Sequence, residues 1–291
     1  MAQPPRLAAS IPPLHSLATG VMEGVAEVEL LLPGGHSPHG GGLAPSALRA
    51  LSSADLLIWS GPSLETGLAR AIRQLPLTNV ITLTESSRLK LLPQRAAGTL
   101  QLNSDHNHGA QHAHEHGDID PHLWLSTENA RAMVVLLTER VSLIDPENAA
   151  RYGQNAAGLI KDIEKTRHDI DNALDPIRNL PFMVFHDAYQ YFETEYSLHA
   201  IASVALDPGR APGARHLGAL RELVRTAGIR CLFTEPQFEP RAVPIIAEDS
   251  SIRTGMLDPL GAGLKPGPSH WFELMLGLKS DLLDCLGKAA R

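Results

Sequence analysis

Residues 147–174, ENAARYGQNAAGLIKDIEKTRHDIDNAL, contain no proline and only two glycines, Gly153 and Gly158. Ala156, Leu159, Ile160, Ile163, Ile170 and Leu174 recur at helical spacing with charges between them, which predicts one amphipathic helix. Helices of globular proteins average about 11 to 12 residues, so this one is unusually long for an α/β chain. A rigid strut between two domains is the simplest use for such an element. Asp145-Pro146-Glu147 starts it, directly after a shorter helix predicted over Glu128 to Leu143.

On either side of the strut, strand-like and helix-like segments alternate. Before it, Val28 to Leu32 reads as a strand ended by Pro33-Gly34-Gly35, and Pro45 opens a helix with Leu48 and Leu51 on one face. Asp55 to Trp59 is a second apolar run, Pro62 to Ile72 a helix, and Val80 to Leu83 a further strand. After it, strands are predicted at Phe182–Phe185, His199–Val204, Ile229–Phe233 and Ile252–Leu257. Helices fall between them at Ala188–Tyr196, Gly213–Thr226 and Pro240–Asp249, and Ser269–Leu286 closes the chain. Such alternation implies parallel sheets with right-handed crossovers. The expected fold is α/β, two lobes, each a parallel-type sheet flanked by helices. The expected divisions are residues 1–144, with a histidine-rich loop at 104–118, then a linker helix at 145–176 and a second lobe at 177–291.

Bulk properties narrow the function. At 291 residues with 43% apolar content the chain reads as a soluble globular protein, and no apolar run reaches the ~18 residues a membrane helix needs. A net charge of −7 with no basic cluster argues against nucleic acid as a partner. Met1-Ala2-Gln3-Pro4-Pro5-Arg6 lacks a basic stretch followed by a hydrophobic one, so it reads without a signal peptide. A cytoplasmic protein and a mature exported chain both fit that start. The two cysteines, Cys231 in a strand-like run and Cys285 on the closing helix, fit either a disulfide in an oxidising compartment or two buried thiols.

Chemistry is concentrated in histidine. Residues 104–124, SDHNHGAQHAHEHGDIDPHLW, hold six of the chain's 14 histidines. His106, His108, His112, His114 and His116 lie in a polar run of loop composition, suited to weak metal capture. His122 differs, because Pro121 stiffens its backbone and Leu123-Trp124 anchor it. Ligands of open parallel sheets bind beyond the carboxyl ends of strands. The residues at those places are His36 and His39 after the first strand, His122 after the early sheet, His186-Asp187 after Phe185, and Asp258-Pro259 after Leu257. Three imidazoles and one oxygen make a tetrahedral zinc set. His15, His168, His199, His216 and His270 have no metal-ligand neighbours and read as structural or exposed, and Trp59, Trp124 and Trp271 as packing residues.

These segments resemble the metal-specific solute-binding proteins of bacterial ABC importers, in the zinc branch of cluster A-I. The resemblance runs through Ser10-Ile11-Pro12-Pro13-Leu14, Leu32 to His39, Pro45-Ser46, Ala54-Asp55-Leu56 and Asp120 to Leu125. It continues through Asp145 to Ala149, Phe185 to Tyr189, Glu235 to Phe238, Leu257 to Gly261 and the Cys231/Cys285 pair. It implies a periplasmic protein of two lobes bridged by one long helix, with Zn²⁺ held between them. His39, His122 and His186 match the family's zinc-binding histidines, and Asp258 the carboxylate that some members add. A histidine at 186 marks the zinc type against the manganese type, in keeping with ligand softness. The implied partners are the ABC transporter permease and a periplasmic zinc metallochaperone, with the binding protein itself a monomer and no enzyme. One departure is local: Gly40-Gly41-Gly42 stands where the family usually has an acidic residue and an aromatic, so His36 is a candidate to contribute.

Three other functions fit parts of the pattern, one of them an adhesin or metal buffer with no transporter. A manganese or iron importer component would share the fold and differ in its ligands. A zinc hydrolase could use three histidines and an open position, but no H-E-x-x-H is present. Asp187 and Glu235 are candidates to orient an imidazole, and Asp187 equally to cap the following helix.

Overall fold

The computed structural model describes residues 3–35, 37–75, 77, 79–95, 100, 119–205, 211–239, 241–248 and 250–287. Its described strands are β1 (Leu7–Ala9), β2 (Val28–Leu30), β3 (Leu56–Trp59), β4 (Val80–Thr82), β5 (Phe182–Val184), β6 (Ala200–Ser203), β7 (Cys231–Thr234) and β8 (Arg253–Met256). The helices are α1 (Pro12–Val21), α2 (Pro45–Ser53), α3 (Thr66–Ile72), α4 (Thr127–Ile144), α5 (Ala149–Leu174), α6 (Gln190–Tyr196), α7 (Ala214–Thr226), α8 (Val243–Ala247) and α9 (His270–Leu286). The chain falls into two compact units. One comprises Met1–Leu91, Pro121–Asp169 and Leu260–Leu276, and the other Leu92–Asp120, Ile170–Pro259 and Gly277–Arg291.

Each unit holds a four-stranded parallel sheet, in the orders β2-β1-β3-β4 and β6-β5-β7-β8. Counted from the first strand of its own sheet, both read 2-1-3-4. Parallel strands covered on both faces need continuous apolar sequence. Leu56-Leu57-Ile58-Trp59 in β3 and Phe182-Met183-Val184 in β5 are buried throughout. In the first unit Leu31, Leu51, Leu57, Trp59 and Leu68 pack together on one side. In the second, Met183, Leu220, Val224, Leu232 and Ile246 do the same. The edge strand β8, Arg253-Thr254-Gly255-Met256, is only half-buried, as an edge facing water should be.

The strand β1 and helix α1 have no counterpart in the sequence reading. Leu7-Ala8-Ala9 is three residues without a β-branched side chain, and Pro12-Pro13 follows at once. Yet β1 is a central strand, paired to both β2 and β3, and wholly buried. Proline in the first turn of α1 removes only N–H groups that lack helical partners anyway, so the helix starts there without cost.

The long helix is present as α5, 26 residues, about 39 Å at the α-helical rise. A 3-10 turn over Pro146–Asn148 precedes it, and the Asp145 carboxylate accepts from the Asn148 amide and the Tyr152 hydroxyl to secure the entry. Tyr152, Ala156, Leu159, Ile163, Ile170 and Leu174 form its buried stripe.

Cys231 on β7 and Cys285 on α9 form a disulfide across 54 residues of sequence. Gly255 on β8 lets the helix approach: an added Cβ would lie 2.7 Å from the Phe233 ring and 3.2 Å from the Cys285 Cβ. Closing a loop of that size removes entropy from the unfolded chain, worth about 2–4 kcal/mol in typical cases. Reduction, or the paired change Cys231→Ala with Cys285→Ala, should therefore lower stability by about that amount. A urea titration with and without reductant checks it; coincident midpoints would contradict the expectation.

Candidate metal centre

His39 lies in the loop between β2 and α2, and its position is set by α3. Its carbonyl accepts from the Thr66 hydroxyl (3.4 Å), and its N–H donates to Ser37 Oγ (3.3 Å). Gly67, in the first turn of α3, leaves room for the Gly41 carbonyl, where an added Cβ would stand only 2.2 Å away. His122 is only 4% exposed and caps a 3-10 turn over Leu123–Leu125. It follows a single antiparallel bridge, Pro93 to Ile119, and not a strand of the sheet as the sequence pattern suggested. The His39 and His122 rings lie 5.4 Å apart between centroids. Trp124 tilts against His122 at 5.4 Å and its carbonyl accepts from Trp271 Nε1, so both indoles serve packing.

In the second unit His186 is 5% exposed and sits two residues past β5. Its Nδ1 lies 2.6 Å from Glu235 Oε1, which also accepts from the His186 backbone N–H at 3.3 Å. With Nδ1–H donating to that carboxylate, the Nε2 lone pair is directed outward, the tautomer a metal ligand needs. Burial by itself lowers the His186 pKa, but the charge and hydrogen bond of Glu235 more than reverse this, so the imidazole is more basic than a free one. Phe238 meets the ring edge-on at 5.7 Å and stacks on Phe185 at 4.9 Å. The same segment supplies Gln237, whose Nε2 donates to Asp258 Oδ1 (2.7 Å). Tyr189 donates to the carbonyl of Leu257, one residue before that aspartate (3.0 Å).

Asp187 does not cap α6, whose start has no side-chain cap. It pairs instead with Arg95, which also grips Glu193 (Nη2 to Oε1, 2.8 Å). That triad is mostly buried, and the desolvated guanidinium is held firmly charged by its two carboxylates. Arg95 sits at the foot of the segment that carries the histidine-rich stretch. The Leu92 N–H donates to the Tyr191 hydroxyl, which donates to the Asp120 carbonyl, and the Asp120 N–H returns to the Leu92 carbonyl. Both feet are therefore fastened to α6. His36, His106, His108, His112, His114 and His116 lie outside the described residues.

One ring nitrogen from each of His39, His122 and His186 lies within 4.8 Å of the others, the one grouping of metal-ligand side chains of this kind among the described residues. Asp258 is not part of that grouping. His15, His216 and His270 use Nε2 on the backbone carbonyls of Val28, Val204 and Leu260, as structural histidines do. Glu65 escaped the sequence reading. It lies in Ser60-Gly61-Pro62-Ser63-Leu64-Glu65, beside no histidine and no basic residue, so nothing in the string singles it out. In the structure it is fully buried, and desolvation pushes its carboxyl up to about 7.

The sequence matches the family described as zinc-uptake complex component A, periplasmic, over residues 7–285. A Brucella suis protein named high-affinity zinc uptake system protein ZnuA is 34% identical over 96% of this chain and 91% of its own length. Proteins of the same name from Paracoccus denitrificans and Yersinia pestis are 35% and 30% identical, covering 98% and 95% of this chain and 93% and 90% of their own lengths. Among solved structures, a crystal structure of ZnuA superposes with a TM-score of 0.80 at 23% identity, over 97% of this chain and 98% of that one. The Pseudomonas aeruginosa binding protein FpvC, solved with Mn²⁺, gives 0.81 at 20% identity, over 98% and 99%. At those identities the likeness establishes the two-lobed fold alone.

Glu235→Gln keeps an acceptor near Nδ1 but removes the charge, so the His186 pKa of the metal-free protein should fall. Histidine resonances followed by NMR across a pH titration report it; an unchanged His186 midpoint would refute the electrostatic account.

Proposed function

The chain belongs to the family of periplasmic zinc-uptake components, and on that premise we propose how it holds its cargo. Its relatives are high-affinity zinc uptake proteins, and it is the zinc-binding component of a zinc import system. Such a component is a solute-binding part of a transporter, and it works with a membrane permease and its ATPase. No described helix is long and apolar enough to cross a membrane.

In our reading His39, His122 and His186 bind Zn²⁺ as neutral imidazoles, and Asp258 or a water completes four-coordination. The observation that carries this is the approach of the three ring nitrogens to within 4.8 Å of one another. Three nitrogen donors favour zinc over manganese, whose sites are richer in oxygen. The carboxylate nearest His186, Glu235, is engaged by that ring's Nδ1 and is not placed as a general base, which favours binding over hydrolysis. His106, His108, His112, His114 and His116 would raise the local zinc concentration as weak tethered sites. A periplasmic zinc metallochaperone would be a source of the metal, and the binding protein would act as a monomer in the periplasm without catalysing a reaction.

Zinc titration by competition with a chromophoric chelator tests the ligand set. Each of His39→Ala, His122→Ala and His186→Ala should weaken the tight site by at least tenfold, and Mn²⁺ should not displace Zn²⁺ from the wild-type protein. Three variants with wild-type affinity would eliminate the assignment.

Protons compete with the metal. Because the His186 pKa lies above the ordinary 6.5, a proton occupies that ring more at any given pH than it would a free imidazole. Zinc affinity should therefore begin to drop above pH 6.5 as the solution is acidified, by up to about tenfold per pH unit for each proton displaced. The stability of the metal-free protein should show the opposite sign. The raised pKa contributes stability below 6.5 that is lost as pH rises through the folded value. Affinity that stays flat from pH 8 to 5.5 would contradict the first expectation, and metal-free unfolding stability that does not fall as pH rises above 6.5 would contradict the second.

A further inference from the structure

We propose that Glu65 is a positioning residue for His122, acting through Ser60 on the peptide that carries the imidazole; this rests on His122 being a zinc ligand. Glu65 is 1% exposed, and its carboxylate accepts from three donors at two strand ends. Oε1 accepts from the Ser10 hydroxyl just past β1 and from the Ser60 N–H just past β3 (3.2 Å), while Oε2 accepts from the Gly61 N–H (2.9 Å). The carboxylate thus binds together the carboxyl ends of the two central strands of its sheet. These neighbours are where the chain's crossovers diverge, the place where parallel sheets bind ligands.

Ser60 passes this on. Its side chain is fully buried, and its hydroxyl donates to the carbonyl of Pro121. His122 is the next residue, and its own carbonyl accepts from the Leu125 N–H (3.2 Å). The peptide entering His122 is therefore held by Ser60 and the one leaving it by the 3-10 turn. The turn at Ser60 cannot drift the other way. The Ser60 carbonyl accepts from the Thr84 N–H (2.9 Å), and Gly61 adopts φ +154°, where an added Cβ would meet Thr84 Oγ1 at 2.2 Å. Thr66 and Gly67, directly after Glu65, support the loop bearing His39, so one turn positions both histidines of this unit.

The arrangement repeats a device of the other sheet in different chemistry. Glu235 also follows the third strand of a 2-1-3-4 sheet and also reaches the end of the first. There it grips the imidazole of His186 itself; Glu65 reaches its histidine at one remove. Keeping a carboxylate dry is expensive, and hydrogen-bonding it to a serine and two amides is a high cost for a turn that a glutamine or an apolar residue could fill. Placement of a ligand accounts for the choice.

Ser60→Ala, Glu65→Gln and the double variant test the proposal, with His122→Ala in parallel. For each, zinc affinity is measured by chelator competition, the visible spectrum of the Co²⁺-substituted protein reports coordination geometry, and thermal unfolding of the metal-free protein reports stability. Ser60→Ala loses one oxygen and, if Glu65→Gln fails to fold, decides alone. Both single variants should bind zinc roughly tenfold to hundredfold more weakly with an altered Co²⁺ spectrum, and the double variant should be no weaker than the worse single one. Wild-type affinity and spectrum in Ser60→Ala, or in a Glu65→Gln protein that has merely lost thermal stability, would overturn the proposal. If His122→Ala itself binds and absorbs as wild type, the ligand assignment falls, and this inference with it.

Discussion

A carboxylate removed from water demands donors, and in this protein both oxygens of Glu65 and Oε1 of Glu235 find them at the same point of two sheets. Glu65 and Glu235 each lie beyond the third strand of a four-stranded parallel sheet and each draw in the end of the first. Unpaired, either group would cost several kcal/mol. The strand ends are therefore pinned by the penalty for letting them go. In the first unit Ser60 and Pro121 hang from such a pinned end, and in the second His186 does.

The proposed ligand set adds a second constraint, that imidazole be presented neutral with the right nitrogen outward. Glu235, 2.6 Å from His186 Nδ1, favours the tautomer with Nδ1–H, and the same negative charge makes the ring more basic, so in the proposed site orientation would be gained at the expense of proton competition. If His186 binds zinc as proposed, the ion, with two charges against the proton's one, would also benefit from the nearby carboxylate. His122 has Trp124 against its ring and a hydrogen-bonded backbone around it. Its placement is steric and rigid where that of His186 is electrostatic. The closing helix is tied to its sheet by covalent chemistry, with Gly255 making the room.

Much of this was legible in the string. The long helix, the alternation that implies parallel sheets, and seven of the eight described strands follow from periodicity and breakers alone, with strand ends that differ by one or two residues. β1 was not legible, because Leu7-Ala8-Ala9 is too short to show a period and its strand character comes from pairing on both sides. His39, His122 and His186 were nameable because each stands beside a proline or a strand end, in company with a histidine-rich stretch. Glu235 was visible as a candidate only because a histidine needs a partner. Glu65 had no such neighbour.

Composition and order along the chain thus determined the class of fold and named the candidate ligand residues, since periodicity and side-chain chemistry are local properties. Tertiary structure decided which distant groups meet. Glu235 meets the ring of His186 across 49 residues, Ser60 the carbonyl before His122 across 61, and Glu65 the end of β1 across 55. Those pairings exist only once β1 has entered its sheet and β5 has joined β7. Burial then turns ordinary polar residues into obligate partners, and no local pattern records that.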